Sequence, residues 1–182
     1  MDPNALERAR AVWTFRGQRR PAFAHVPGTG QESVWDYPRP PLYVRDARLI
    51  EIHAGTRCLA RSNVSIRVLE TGSPPTVYLP TDAFDASLLR PSPRRTRCEW
   101  KGEAHYWHVQ GSDGLIRDAL WSYPDAGDEA AVIAGWLAAY PARLHCVIAG
   151  ETVRAQAGGY YGGWINTEIV GPFKGEPGTG QW

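Results

Sequence analysis

Residues 95–123, RTRCEWKGEAHYWHVQGSDGLIRDALWSY, decide the fold of this chain. Three short runs, 95–100, 104–109 and 115–123, carry the aromatic and aliphatic residues that suit a pleated surface. Gly102 separates the first two runs, and residues 111–114, a Gly-Ser-Asp-Gly turn, separate the last two. The stretch therefore reads as three successive strands joined by short turns.

Toward the N-terminus the same pattern repeats. Residues 76–79 form a strand that Pro80 ends. Residues 64–69 alternate, with Val64, Ile66 and Val68 on one face and Ser65 and Arg67 on the other. Residues 48–53 and 56–60 flank an Ala54-Gly55 turn. Toward the C-terminus, residues 128–140 read as a helix capped by Asp128 and ended by Pro141. Its apolar stripe is Val132, Ile133, Trp136, Leu137 and Tyr140. Residues 144–149 are a further strand, and residues 150–154 turn into a short partner. Before the core, residues 2–13 predict a short helix with Asp2 as cap and Pro3 at its first position. Residues 17–41 are a Gly/Pro/Arg-rich arm.

Short strands at close spacing predict a mainly β chain: a small curled antiparallel sheet or β-tent-like barrel with one packing helix and two terminal extensions. A doubly wound parallel sheet needs repeated strand–helix alternation, which is missing. The expected division is an arm over 1–41, a core domain over 42–157 and a Gly/aromatic-rich tail over 158–182.

Composition narrows function. In 182 residues, a formal net charge of +1 gives no global attraction to nucleic acid. No apolar run is long enough to cross a bilayer, and residues 1–20 lack a signal-peptide core, so a cytoplasmic protein is expected. Cys58, Cys98 and Cys146 are odd in number and make no C-x-x-C pair, which speaks against disulfides and against a closed zinc site. His105 and His108 fall on opposite faces of one strand. No metal and no cofactor are expected. Only Lys101 and Lys174 are lysines; every other basic side chain is arginine.

Several segments together resemble a bacterial family, domain of unknown function 427. They are Leu69-Glu70-Thr71, Val77-Tyr78-Leu79-Pro80-Thr81-Asp82, the run Thr96-Arg97-Cys98-Glu99-Trp100-Lys101-Gly102-Glu103-Ala104-His105-Tyr106-Trp107, and Ala119-Leu120-Trp121-Ser122-Tyr123-Pro124. The resemblance runs from about Ile50 to Ile148, and residues 32–41 and 163–182 resemble extensions carried by some members. It implies a β-tent-like fold and brings the label nucleotidyltransferase. That chemistry uses paired carboxylates to hold metals on phosphates. The chain has no Asp-x-Asp, and Asp82 and Asp85 stand three apart in a loop.

The candidate site gathers Lys101, Glu70 and Cys98 as the reactive groups. Tyr78, Tyr106, Trp107, Trp121 and Tyr123 are the binding walls. Aromatic walls with a few polar groups describe a small-molecule pocket, and equally a strand core. Cys98 is either an inert thiol or a nucleophile activated by Lys101. Glu70 is either a base, a partner for Lys101, or a surface carboxylate. Three functions remain open: binding or transforming a small, partly apolar molecule; a non-catalytic interaction module, with a homodimer as one form; and nucleotidyl transfer.

Overall fold

A computed structural model describes residues 3–182. A short helix, α1 (Pro3–Ala11), opens the chain; the Asp2 cap expected for it lies outside the described residues. The strands follow as β1 (Glu32–Ser33), β2 (Leu42–Asp46), β3 (Ile50–Ala54), β4 (Arg57–Ser62), β5 (Ser65–Glu70), β6 (Ser73–Leu79), β7 (Leu89–Cys98) and β8 (Gly102–Gly111). Next come β9 (Gly114–Ser122), β10 (Leu137–Ala139), β11 (His145–Ile148), β12 (Glu151–Thr152), β13 (Arg154–Ala155), β14 (Trp164–Ile165) and β15 (Ile169–Val170).

The architecture is mainly β and antiparallel, as the strand pattern predicts. Seven strands form the main sheet in the order β2-β5-β6-β10-β9-β8-β7, and β12-β11-β3-β4 form a second. Neither closes into a barrel. Two small pairs, β1 with β15 and β13 with β14, tie arm and tail into the molecule.

Alternation along the central strands gives the main sheet two different faces. Val77, Leu79, Val109, Leu120, Leu137 and Ala139 point to one side and pack on Ile50, Ile52, Leu59, Cys146 and Ile148 of the second sheet. Ile66, Val68, Tyr78, Ala104, Tyr106, Trp121 and Ala138 point to the other side.

The helix expected over 128–140 does not form. Residues Asp128–Ile133 make a 3-10 turn whose cap is Gly127, without a side-chain bond from Asp128. Gly135 then takes a positive φ of 75°, a conformation that ends any right-handed helix. The chain re-enters the main sheet as β10, between β6 and β9. The supposed apolar stripe is divided: Val132 is 52% exposed, whereas Ile133 and Leu137 are buried in separate clusters. A short apolar run fits either period, and here the vacant sheet position decides.

The arm and tail pack against the core. Val34, Trp35, Tyr37, Leu69 and Ile169 form a third cluster, flanked by Phe15, Phe173 and Trp182. Arg39, whose side chain is fully buried, joins the parts. It donates to Glu70 Oε1 (3.1 Å) and to the carbonyls of Thr71 (2.8 Å), Phe15 (2.9 Å) and Trp182 (3.3 Å). Among the described residues, no helix is long and apolar enough to cross a membrane.

Candidate functional site

The aromatic face of the main sheet opens on a cavity of about 260 Å³. β5 contributes Val68 and Glu70, β6 contributes Thr76 and Tyr78, and β7 contributes Thr96 and Cys98. Lys101 stands in the turn before β8, which supplies Tyr106. Trp121 and Tyr123 come from β9 and the residue just beyond it. The tail closes the far side with Gln156, Tyr160, Tyr161, Gly162 and Lys174, and Trp13 lies over the top.

Seven of the eight residues singled out from sequence therefore line one cavity: Glu70, Tyr78, Cys98, Lys101, Tyr106, Trp121 and Tyr123. Trp107 does not. It follows Tyr106 on the same strand, so the pleat turns it to the opposite face, where it packs against the aliphatic cluster. Lys174, Trp13, Tyr140, Tyr160 and Tyr161 were missed. They come from terminal segments and from the region read as a helix, and local pattern cannot place those beside the sheet. One signal was present for Lys174: it is the second of only two lysines.

The walls are held by their polar ends. Trp121 Nε1 donates to Tyr78 Oη (3.0 Å), and the Tyr106 hydroxyl shares a hydrogen bond with Thr96 Oγ1 (2.7 Å). The Trp121 and Tyr140 rings lie 4.3 Å apart, and Tyr78 meets Trp121 edge-on at 6.1 Å. Gly162 is required by close approach: a Cβ there would lie 2.1 Å from Trp121 Cη2. Behind this wall, Gln156 clamps the tail. Its Nε2 donates to the Lys174 carbonyl (2.7 Å), and its Oε1 accepts from the Gly163 N–H (3.1 Å).

Charge enters from Glu70, Glu99, Lys101 and Lys174, with Arg97 at the rim. Glu70 is engaged by Arg39. Glu99 accepts from Trp13 Nε1 (2.7 Å), which draws the N-terminal segment over the mouth. Arg10 reinforces that contact by donating to the Glu99 carbonyl (3.0 Å) and lying over the Trp100 ring. Lys101 Nζ sits 5.9 Å from the Tyr123 ring centroid, and Lys174 Nζ sits 3.4 Å from that of Trp13.

Burial lowers the pKa of both lysines, but the net shifts are opposite. For Lys101, burial pulls the pKa down, but the negative charge that Cys98, Glu70, Tyr78 and Tyr43 carry when ionised pulls it up further. The net direction is upward, and the ammonium stays charged at neutral pH. For Lys174, burial dominates and lowers the pKa to about 8, against partial compensation by Glu70. Burial also pushes the Tyr78 and Tyr123 phenols up, so they act as neutral hydroxyls.

Cys98 is half-buried on the cavity wall, and its Sγ accepts weakly from the Trp100 N–H (3.5 Å). Cys146 is buried in the aliphatic cluster, and Cys58 is exposed on the second sheet. His105 Nε2 lies 3.3 Å from Glu103, and on the other face His108 Nδ1 accepts from the Asp118 N–H (2.9 Å). Among the described residues, no three His, Cys, Asp or Glu side chains gather in a way that would hold a metal ion.

A family profile described as domain of unknown function 427 matches residues 42–150, more than half of the chain and all of the main sheet. The chain belongs to the domain of unknown function 427 family. The match spans every core strand that builds the cavity floor but stops before the tail that closes it, so Lys174, Tyr160 and Tyr161 lie outside the family segment. No curated protein matches the chain.

Proposed function

We propose that this chain binds or transforms a small, partly apolar molecule in the aromatic cavity. One observation carries the reading. Residues from five strands, a turn and the tail converge on one partly open cavity rather than filling it. Protein interiors ordinarily close such space, and an aromatic-lined cavity with a few convergent polar groups is the usual form of a ligand site. Tyr78, Tyr106, Trp121 and Tyr123 give the apolar contact area. If the site is catalytic, Cys98 is the nucleophile, Lys101 is the cation beside it, and Glu70, held by Arg39, is the fixed negative charge.

The other readings find less support. A docking surface built on Trp35, Trp164 and Trp182 would need those rings outside. Trp35 and Trp164 are buried, and Trp182 is half-buried. Nucleotidyl transfer would need carboxylates free to hold metal on phosphates. The two carboxylates at the cavity, Glu70 and Glu99, are oriented by Arg39 and Trp13, and among the described residues they join no group of three side chains that could hold a metal. The test is native mass spectrometry of the protein purified from its own host, with the same spectrum reading the oligomeric state. A retained small molecule, lost when the chain is unfolded, is the expected result. A bare mass, together with no thermal shift from any member of an aromatic fragment library, would overturn the reading.

A further inference from the structure

Both lysines of a chain that otherwise uses arginine line the same cavity. They come from places far apart in sequence, the turn before β8 and the tail. Neither ammonium makes a hydrogen bond or an ion pair with any described residue. Each has a ring face near it: Tyr123 for Lys101, and Trp13 with Tyr161 (5.2 Å) for Lys174. The two carboxylates at the cavity are oriented elsewhere: Glu70 Oε1 accepts from Arg39 and Glu99 Oε1 from Trp13, and neither makes an ion pair with a lysine.

A partly desolvated cation with no carboxylate in ion-pair contact is only partly compensated by ring faces and by more distant charge. The remaining cost is offset when a ligand brings the anion. Lysine also suits the position: its compact point charge fits inside a small volume where a forked guanidinium would not. Arg97, exposed at the rim, adds a third positive charge on the way in.

We propose that the ligand is a small organic anion with a flat apolar body, the body lying against the Tyr78–Trp121–Tyr123 wall and a carboxylate or phosphate group directed at Lys101 and Lys174. The inference rests on the reading of the cavity as a ligand site and adds the charge and shape of what enters it. It also predicts a pH signature. Lys174, with its pKa lowered to about 8, attracts an anion only while protonated, so affinity falls as pH rises through that value.

The experiment is titration calorimetry with four probes of one shape: 2-naphthoate, 2-naphthyl phosphate, naphthalene-2-methanol and 2-naphthylmethylammonium. The two anions should bind about tenfold or more tighter than the alcohol, and the cation weakest. The ratio of naphthoate to naphthyl phosphate then says which acid group the site prefers. Lys101→Met and Lys174→Met should each erase about tenfold of the preference for the anions while leaving the alcohol unchanged. Equal binding of acid and alcohol by the natural protein would overturn the anionic ligand and leave the cavity reading standing. No binding of any probe would overturn the flat anionic ligand, and the cavity reading would then be decided by its own mass-spectrometry and fragment test. Should Lys174→Met fail to fold, the natural protein still decides its part: naphthoate affinity that stays flat from pH 7 to about 9.5 would overturn the role of Lys174.

Discussion

The two faces of the main sheet are made from alternate residues of the same strands, yet they differ in kind. On β6, Val77 and Leu79 face the second sheet while Tyr78 faces the cavity. On β9, Leu120 and Trp121 divide in the same way, and on β10 Leu137 and Ala139 separate from Ala138. The first face is aliphatic, dry and covered by a second layer. The second face is aromatic, carries hydroxyls and an indole N–H, and is covered by the turn around Ala130 and Ile133 and by segments from the two ends of the chain. A face built for stability needs volume and little else. The second face instead keeps a cavity open, with ring ends bonded to neighbouring side chains and two lysines that make no ion pair with a described residue.

The largest expected effect breaks the dry face. Leu120 is fully buried between the two sheets. Leu120→Ala should cost about 2–5 kcal/mol, because the lost transfer energy is joined by that of a cavity that two stiff sheets cannot close. Urea denaturation measures it. A loss below about 1 kcal/mol would mean that this face is loosely packed and that the two faces differ little in packing.

The next effect falls on the aromatic face. A methyl group at Gly162 would meet the Trp121 ring at 2.1 Å, with the ring hemmed in by Tyr78 and Tyr140. Gly162→Ala should therefore cost about 1–3 kcal/mol by overpacking and push the indole into the cavity. The same variant should weaken naphthoate binding. Unchanged stability with unchanged binding would show that the wall yields freely and does not shape the site.

The strands were legible because their physics is local. In residues 104–109 and 115–123, the period of two and the glycine turns mark strands without tertiary help, and β8 and β9 lie there with a register that puts Tyr106 opposite Trp121. The same period, applied one residue further, separates Trp107 from Tyr106, and grouping both in one site ignored it. Residues 128–140 failed for the opposite reason. Their spacing fits a helix, but Gly135 and the space between β6 and β9 make a strand of Leu137–Ala139, and only the assembled sheet carries that information. β2, following directly on the Pro40-Pro41 pair, was hidden by the prolines before it. The far wall of the cavity was illegible because Gly158 to Lys174 reaches it by winding around the molecule. No short-range pattern encodes such a return.

A smaller effect tests whether the aromatic face is held by its polar ends. Tyr78 is fully buried, and its hydroxyl accepts the Trp121 indole proton. Tyr78→Phe keeps the ring and leaves that N–H with no acceptor. The expected cost is about 1–2 kcal/mol, the penalty of one unsatisfied buried donor. The equivalent methyl-scale trimming on the dry face, such as Ile52→Val, has no polar component. Equal costs would say that ring packing alone holds the wall.

The smallest effect separates the two lysines by the sign of their response to pH. Lys174 has a folded pKa of about 8, below its unfolded value, so between that pH and about 10 the unfolded chain binds the extra proton. Stability contributed by this group therefore rises as pH increases through the window, by about 1 kcal/mol from pH 7 to 9. Lys101 is shifted upward, so it adds nothing to that slope. Its stabilising effect is complete below about 10.5, the pKa of an unperturbed lysine, and declines only beyond it. Other groups also titrate between pH 7 and 9, so the measurement is a difference. Urea midpoints of the natural protein and of Lys174→Met are compared at pH 7 and pH 9. The natural protein should gain on the variant by about 1 kcal/mol across the window, whereas Lys101→Met should track it without divergence. Parallel curves for Lys174→Met would mean that water reaches its ammonium. The tail segment would then be a loose cover over the cavity, and the contrast between a closed dry face and a closed aromatic face would give way to one between a closed face and an open one.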